Sequence, residues 1–272
     1  MSARSGLIIH ADDFGETVEI TRGICEAIEA GAVTSTTVMA NMPGTADALP
    51  RIAALADKAS FGVHLNFCEG EPLTRGATLV DANGRFHRKR ALFRRAITGQ
   101  LAQPEVEAEI TAQIARVHDY GIRLSHVDGH KHLHMLPGIS TAVAKVLPRF
   151  GIERVRVTRL RRFTAANGIA MLLRQHLAWR AGRVFARAGL RSPAHVVDIQ
   201  AIMGSQDPVS KSPLRQSSQA VVEMFCHPGT ALADIEKTGS CERHAELTFL
   251  TSPTFKELLN ATGSRCLTYW DV

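Results

Sequence analysis

The chain has 272 residues, 45% hydrophobic and 21% charged, with a formal net charge of +6. That composition is ordinary for a globular protein, and no apolar run approaches the roughly 18 residues that a membrane-spanning helix needs. Five scattered cysteines (Cys25, Cys68, Cys226, Cys241, Cys266), odd in number and without a CxxC pair, argue against a disulfide framework and predict reduced thiols. The basic excess is local: residues 154–191 hold ten arginines and no Lys, Asp or Glu, while the remainder carries 22 basic against 26 acidic residues. No Pro/Gly/Ser-rich linker, low-complexity tract or repeat divides the chain, so a single domain over 1–272 is expected, with an Arg-rich helical insertion at about 154–195. The N-terminal run Leu7-Ile8-Ile9 is too short for a signal-peptide core and is followed by acids, which predicts a cytoplasmic protein.

In chain order, Leu7–Ala11 reads as a buried strand ending at Asp12-Asp13-Phe14-Gly15. Thr21–Ala30 reads as a helix with Gly31 behind it, and β-branched Val33–Ala40 as a second strand. Thr45–Ala56 is a predicted helix and Phe61–Asn66 a third strand; residues 69–90 carry the turn signals of a loop. Gln103–Tyr120 has Val106, Ile110 and Ile114 at helical spacing. A strand at Ser125–Val127 then runs into His126-Val-Asp128-Gly-His130-Lys-His132-Leu-His134. Ile139–Phe150 and Ala166–Ala188 are predicted helices, and a last helix begins at Ser252-Pro253. Val155–Thr158, Val196–Ile199, Val221–Cys226 and Cys266–Tyr269 are predicted strands. This alternation implies an α/β fold with mostly parallel strands, whose strand ends are where ligands bind.

The histidine tract places four imidazoles and a carboxylate at one parity, so a fully extended chain would point all five to one face. These are ligand types for divalent metals. Neighbouring Asp12 and Asp13 repel, and a metal that bound one would leave the other as a base; an Asp that merely caps a turn is the competing reading. His64 sits among apolar neighbours, as a core histidine or as a ligand. Asp13, His64 and His130, from three separate strand ends, satisfy a catalytic metal site that keeps open positions, with the other histidines supporting it or touching substrate. His227, in Cys226-His227-Pro228-Gly229, is a general acid or a turn histidine. A Cys226/His227 nucleophilic pair is disfavoured because adjacent strand residues face opposite ways.

Taken together, Ala11-Asp12-Asp13-Phe14-Gly15, Thr34-Ser35-Thr36 with Met39-Ala40-Asn41-Met42-Pro43, Gly62-Val63-His64-Leu65-Asn66, Glu69-Gly70-Glu71-Pro72-Leu73, the 128–134 tract and His227-Pro228-Gly229 resemble the YdjC-like carbohydrate deacetylases. The resemblance implies an irregular (β/α) barrel related to polysaccharide deacetylases and removal of acetyl groups from N-acetylated sugars. It implies one divalent metal, Zn or Mg first and Mn, Co or Ni as alternatives, held by Asp13, His64 and His130. Asp12 is implied as base and His227 as acid. Asn41, Asn66, Asp128, His132, His134 and Arg159 are expected as substrate-binding or supporting residues. The Arg-rich segment looks like that of the hopanoid-biosynthesis subgroup, which implies an N-acetylglucosaminyl hopanoid substrate. A chito-oligosaccharide deacetylase, a phosphoesterase on the same scaffold and a non-catalytic sugar-binding protein are the alternatives.

Within that segment, Arg180, Arg183, Arg187 and Arg191 form a stripe. Ile169, Leu172, Leu173, Leu177, Val184 and Phe185 can take another face. Three roles compete: a solvated face or homodimer contact, attraction to an anionic membrane, and nucleic-acid binding. Nucleic acid is the least favoured, since no recognition motif accompanies the arginines.

Overall fold

The computed structural model describes residues 6–159, 168–204, 220–231, 242–263 and 265–272, with backbone alone at 169 and 170. In chain order the elements are β1 (Gly6–Phe14), α1 (Val18–Glu29), β2 (Ser35–Val38), α2 (Thr45–Ala48), β3 (Ser60–Leu65), α3 (Lys89–Ile97), α4 (Gln103–His118), β4 (Val127–Gly129) and α5 (Ile139–Val146). They continue as α6 (Gly168–Arg187), β5 (His195–Asp198), α7 (Gln200–Met203), β6 (Val221–Cys226), α8 (Arg243–Leu250), α9 (Pro253–Thr262) and β7 (Cys266–Leu267). The expected α/β class holds: each described pairing between named strands is parallel. No helix among the described residues is long and apolar enough to cross a membrane.

The chain divides into two compact units. The first comprises residues 1–38, 43–61 and 193–272. Its centre is β1, whose Leu7, Ile8, Ile9, Ala11 and Phe14 are buried; each large side chain of this kind contributes about 1.5–3 kcal/mol on burial. β1 pairs with β6 along Gly6–Ala11 and with β2 from His10 onward; β7 pairs with Leu7 and Ile8, ahead of β2. β5 flanks β6. The register of β1 on β2 shifts between Ala11 and Phe14, and Asp13 lies in the left-handed region (φ 72°). This is a β-bulge, and it breaks the strict alternation of side chains. α1 begins at Thr17, whose hydroxyl accepts from the Ile20 amide at 3.2 Å.

The second unit comprises residues 39–42 and 62–192. In it β3 pairs with β4 in the register Val63↔Val127, His64↔Asp128, Leu65↔Gly129. A Cβ at Gly62 would collide with the His126 carbonyl, so the close approach of the two strands requires glycine there. α4 packs on α5, and α5 on α6.

Several expected elements are shorter. The helices expected over 45–56 and 139–150 both tighten into 3-10 turns, at Leu49–Ala54 and Leu147–Phe150. Pro50 and Pro148 open those turns and lack the amide that would continue the α-helical ladder. The strand expected at 155–158 reduces to single bridges, Val127↔Val155 and Arg154↔Arg191. The tract beyond Gly129 is not extended. His130–Met135 is a 3-10 turn with Lys131 and His132 at φ 53° and 60°, which overturns the expectation that all five tract groups share one face. Of the apolar residues expected on a face of α6 apart from the arginine stripe, Leu177 and Phe185 are buried, together with Ala178 and Ala181, whereas Leu172 and Leu173 are exposed. The start of the helix expected from Ala166, together with Arg161, Arg162 and Cys241, lies outside the described residues.

Candidate metal centre and its supporting groups

In the first unit the bulge at the end of β1 carries two buried aspartates. Asp12 Oδ1 lies 3.4 Å from His10 Nε2, and Asp12 Oδ2 lies 3.9 Å from His227 Nε2. His10 is fully buried and also meets Thr37 Oγ1 at 3.2 Å. Asp13 Oδ2 accepts from Arg243 Nη2 at 2.7 Å, and the same guanidinium nitrogen reaches Glu16 Oε2 at 3.1 Å. His227 follows β6, with its backbone amide donating to Glu246 and its ring against the edge of Phe225. Glu246 also accepts from Gln200 at 2.7 Å. The strand end therefore combines a carboxylate flanked by two imidazoles with a second carboxylate already paired to a cation.

In the second unit His64 is oriented from behind. Its Nδ1 donates to Asp128 Oδ1 at 2.7 Å, and Asp128 Oδ2 pairs with Arg156 Nη1 at 2.9 Å; all three side chains are essentially inaccessible. With Nδ1–H bonded to Asp128, the lone pair of the ring is left on Nε2. A carboxylate behind the histidine in this way is the usual support of a metal-binding imidazole. The rings of His64 and His130 meet edge to face, with centroids 5.6 Å apart, and His130 Nε2 lies 3.2 Å from Glu69 Oε1. Lys131 pairs with the same Glu69 oxygen. The donor set expected for a divalent ion, one carboxylate and two imidazoles, suits Zn and its borderline neighbours.

The remaining expected residues have distinct surroundings. Asn66 organises its own loop: its Oδ1 accepts from the amides of Cys68 and Glu69, both at 3.1 Å, and its Nδ2 donates to the Glu69 carbonyl at 2.8 Å and to Asn41 Oδ1 at 3.2 Å. Asn41 Nδ2 in turn donates to the Glu71 carbonyl. His134 is buried, donates from Nε2 to the Arg156 carbonyl at 2.9 Å and stacks on Phe185; burial pushes its imidazole down to about 4. His132 sits in the left-handed turn. Arg159 is exposed and its guanidinium lies over Gly182 of α6, where a Cβ would strike it.

None of the described cysteines forms a disulfide, and Cys226 donates to the His10 carbonyl at 3.2 Å. Burial raises the Cys25 thiol to about 11, consistent with inert reduced thiols.

Sequence reasoning passed over Arg243, Glu16, Glu246, His10 and Arg156. For His10 a signal existed, since it stands two residues before Asp12 on the same strand. Arg243 lies in α8, a stretch with weak apolar periodicity, and nothing in its local sequence marks its partner 230 positions away.

The sequence matches the family model described as YdjC-like protein over residues 6–261. A carbohydrate deacetylase of Geobacillus stearothermophilus is 29% identical over 266 residues, 96% of each chain. A chitooligosaccharide deacetylase of Yersinia enterocolitica is 30% identical over 273 residues, 97% of this chain and 98% of its own. Among solved structures, an Enterococcus faecalis protein named for cellobiose-phosphate cleavage aligns over 98% of both chains with a TM-score of 0.73 at 25% identity. With aspartates at a bulged strand end, a carboxylate-backed histidine and a family match spanning nearly the whole sequence, the chain belongs to the YdjC-like protein family.

Proposed function

We propose that this chain is a metal-dependent carbohydrate N-deacetylase that removes the acetyl group from an N-acetylglucosamine-containing substrate, an N-acetylglucosaminyl hopanoid lipid in particular. Asp13, His64 and His130 supply the metal ligands, and Asp12 and His227 the base and acid. Membership of the family and the deacetylase names of two relatives support the reaction class. The observation that carries the metal reading is the buried Arg156–Asp128–His64 chain, which prepares one imidazole nitrogen as a ligand.

When bound, the divalent ion polarises the acetyl carbonyl and acidifies water. Asp12 takes the proton of the attacking water; His10 at its side holds the carboxylate in place. His227, fixed by Glu246 through its backbone amide, delivers a proton to the departing amine. Asn66 and Asn41 hold the adjoining loop in shape.

Chelator-stripped enzyme reloaded with single metals should release acetate from the hopanoid glycolipid, or from N-acetylated chito-oligosaccharides, only in the loaded forms. Asp12→Asn should retain metal while turnover falls by about 10²–10⁴-fold. Acetate release at full rate by stripped enzyme overturns the proposal. Phosphate release in place of acetate favours a phosphoesterase, and binding without turnover favours a sugar-binding protein.

The same proposal places the enzyme in the cytoplasm, in peripheral contact with an anionic membrane through α6. That helix exposes Leu172, Leu173 and Trp179 beside Arg174, Arg180, Arg183 and Arg187, and Arg183 lies 4.9 Å over the Trp179 ring. Apolar anchors among arginines suit an interface of acyl chains and phosphate headgroups. Flotation with phosphatidylglycerol vesicles should lose the protein when Arg180, Arg183 and Arg187 become Gln. Unchanged flotation, or a dimer that dissociates in the triple variant, assigns the face to another role.

A further inference from the structure

In the second unit, Cys68, Glu69 and His130 bring a thiol sulfur, a carboxylate oxygen and an imidazole nitrogen within 4.8 Å of one another. We propose that these three residues form an additional metal position, one that takes a soft divalent ion such as Zn²⁺, Cd²⁺ or Co²⁺ and draws His130 away from the deacetylase metal. The second half of that statement rests on the assignment of His130 as a catalytic-metal ligand; the first half does not.

The donors differ in kind from the Asp13–His64–His130 set. A sulfur ligand selects soft and borderline ions and is a poor partner for Mg²⁺. A tetrahedral zinc site needs donors roughly 3.3–3.6 Å apart, so each of the three has at most about an ångström to move. Cys68 and His130 are buried, and Glu69 is only partly exposed.

The site is also built before any ion arrives. Asn66 Oδ1 accepts from the amides of both Cys68 and Glu69. The Asn66 backbone is clamped by Gln113, at 2.9 Å from its amide and 2.7 Å from its carbonyl. Further along the loop, Glu109 of α4 accepts from the Leu73 and Thr74 amides and from the Thr74 hydroxyl. Glu69 already gathers positive groups, with Lys131 and His130 both on its Oε1. Lys131 is the resident counter-charge; its half-exposed side chain can swing to water when a divalent ion takes its place, and the thiol proton then leaves to solvent as sulfur binds.

Cobalt reports sulfur ligation directly, through a thiolate-to-metal charge-transfer absorption in the near ultraviolet. Co²⁺ titration of the full chain should raise that band in wild type and in Asp13→Ala, and the band should disappear in Cys68→Ser and His130→Ala. Lys131→Ala should bring it up at lower Co²⁺. With substrate present, zinc well beyond one equivalent should slow the wild type, and Cys68→Ser should lose that inhibition. A missing band, a band that survives Cys68→Ser, or equal zinc inhibition in the two proteins overturns the proposal. Loss of deacetylation in every metal form, with the band intact, would defeat the functional assignment alone.

Discussion

Two buried arginines, one in each unit, pair with a carboxylate of the proposed centre, and they do so in opposite senses. Arg243 binds Asp13 itself, at 2.7 Å, so it competes with any cation for that carboxylate. Arg156 binds Asp128, one group removed from the ligand, and Asp128 then orients His64. The first arrangement neutralises a ligand in the absence of metal; the second prepares one. The difference teaches that a buried guanidinium near a metal centre is not a uniform device, and that its position in the chain of contacts decides whether it opposes or assists binding.

Arg156→Ala is the strongest way to break the comparison. It leaves Asp128 charged and buried without its partner, and should cost about 3–5 kcal/mol of stability in urea unfolding. A loss below about 1 kcal/mol would mean that Asp128 does not depend on that arginine.

The pH dependence probes the same corner, because His134 donates to the Arg156 carbonyl. Its folded-state value of about 4 lies below the ordinary 6.5. The unfolded chain therefore binds the extra proton first as pH falls. The stability this group contributes is complete above about 6.5 and drains away between 6.5 and 4, amounting to about 3 kcal/mol. His134→Gln should flatten that part of the stability–pH curve; an unchanged slope would place the acid sensitivity elsewhere.

Asp128→Asn tests the preparatory role. Metal affinity measured calorimetrically should fall by about 10–100-fold while the chain stays folded. The smallest effect on metal affinity is expected for Arg243→Ala, where it should hold or rise, although the fold should lose about 3–5 kcal/mol because the buried Asp13 and Glu16 carboxylates lose their shared cation. If Arg243→Ala loses metal as severely as Asp128→Asn, the two arginines play the same part and the contrast fails.

Much of this architecture is legible in the sequence. The apolar run of β1, the spacing of Val106, Ile110 and Ile114 in α4 and the Val221–Cys226 strand all stand close to where periodicity places them. The site residues are legible as types at strand ends. What periodicity cannot reveal is backbone irregularity. The bulge at Asp13 and the turn through Lys131 and His132 depend on long-range packing, and both alter which way a side chain points. The basic helix α3 also escapes, since only Leu92 and Ala96 of its nine residues are buried. Arg243 and Arg156 escape for another reason: an ion pair across 230 or 28 positions leaves no local trace.

Asp13, Lys131 and His132 are the non-glycine residues with positive φ among those described. A left-handed backbone at such a residue costs on the order of 1–2 kcal/mol. Glycine or asparagine would adopt this conformation at less cost, yet an acid, an ammonium and an imidazole stand at these three points. A laboratory search for stabilising substitutions should find gains at 131 and 132 first, and should find them at the expense of whatever those side chains accomplish.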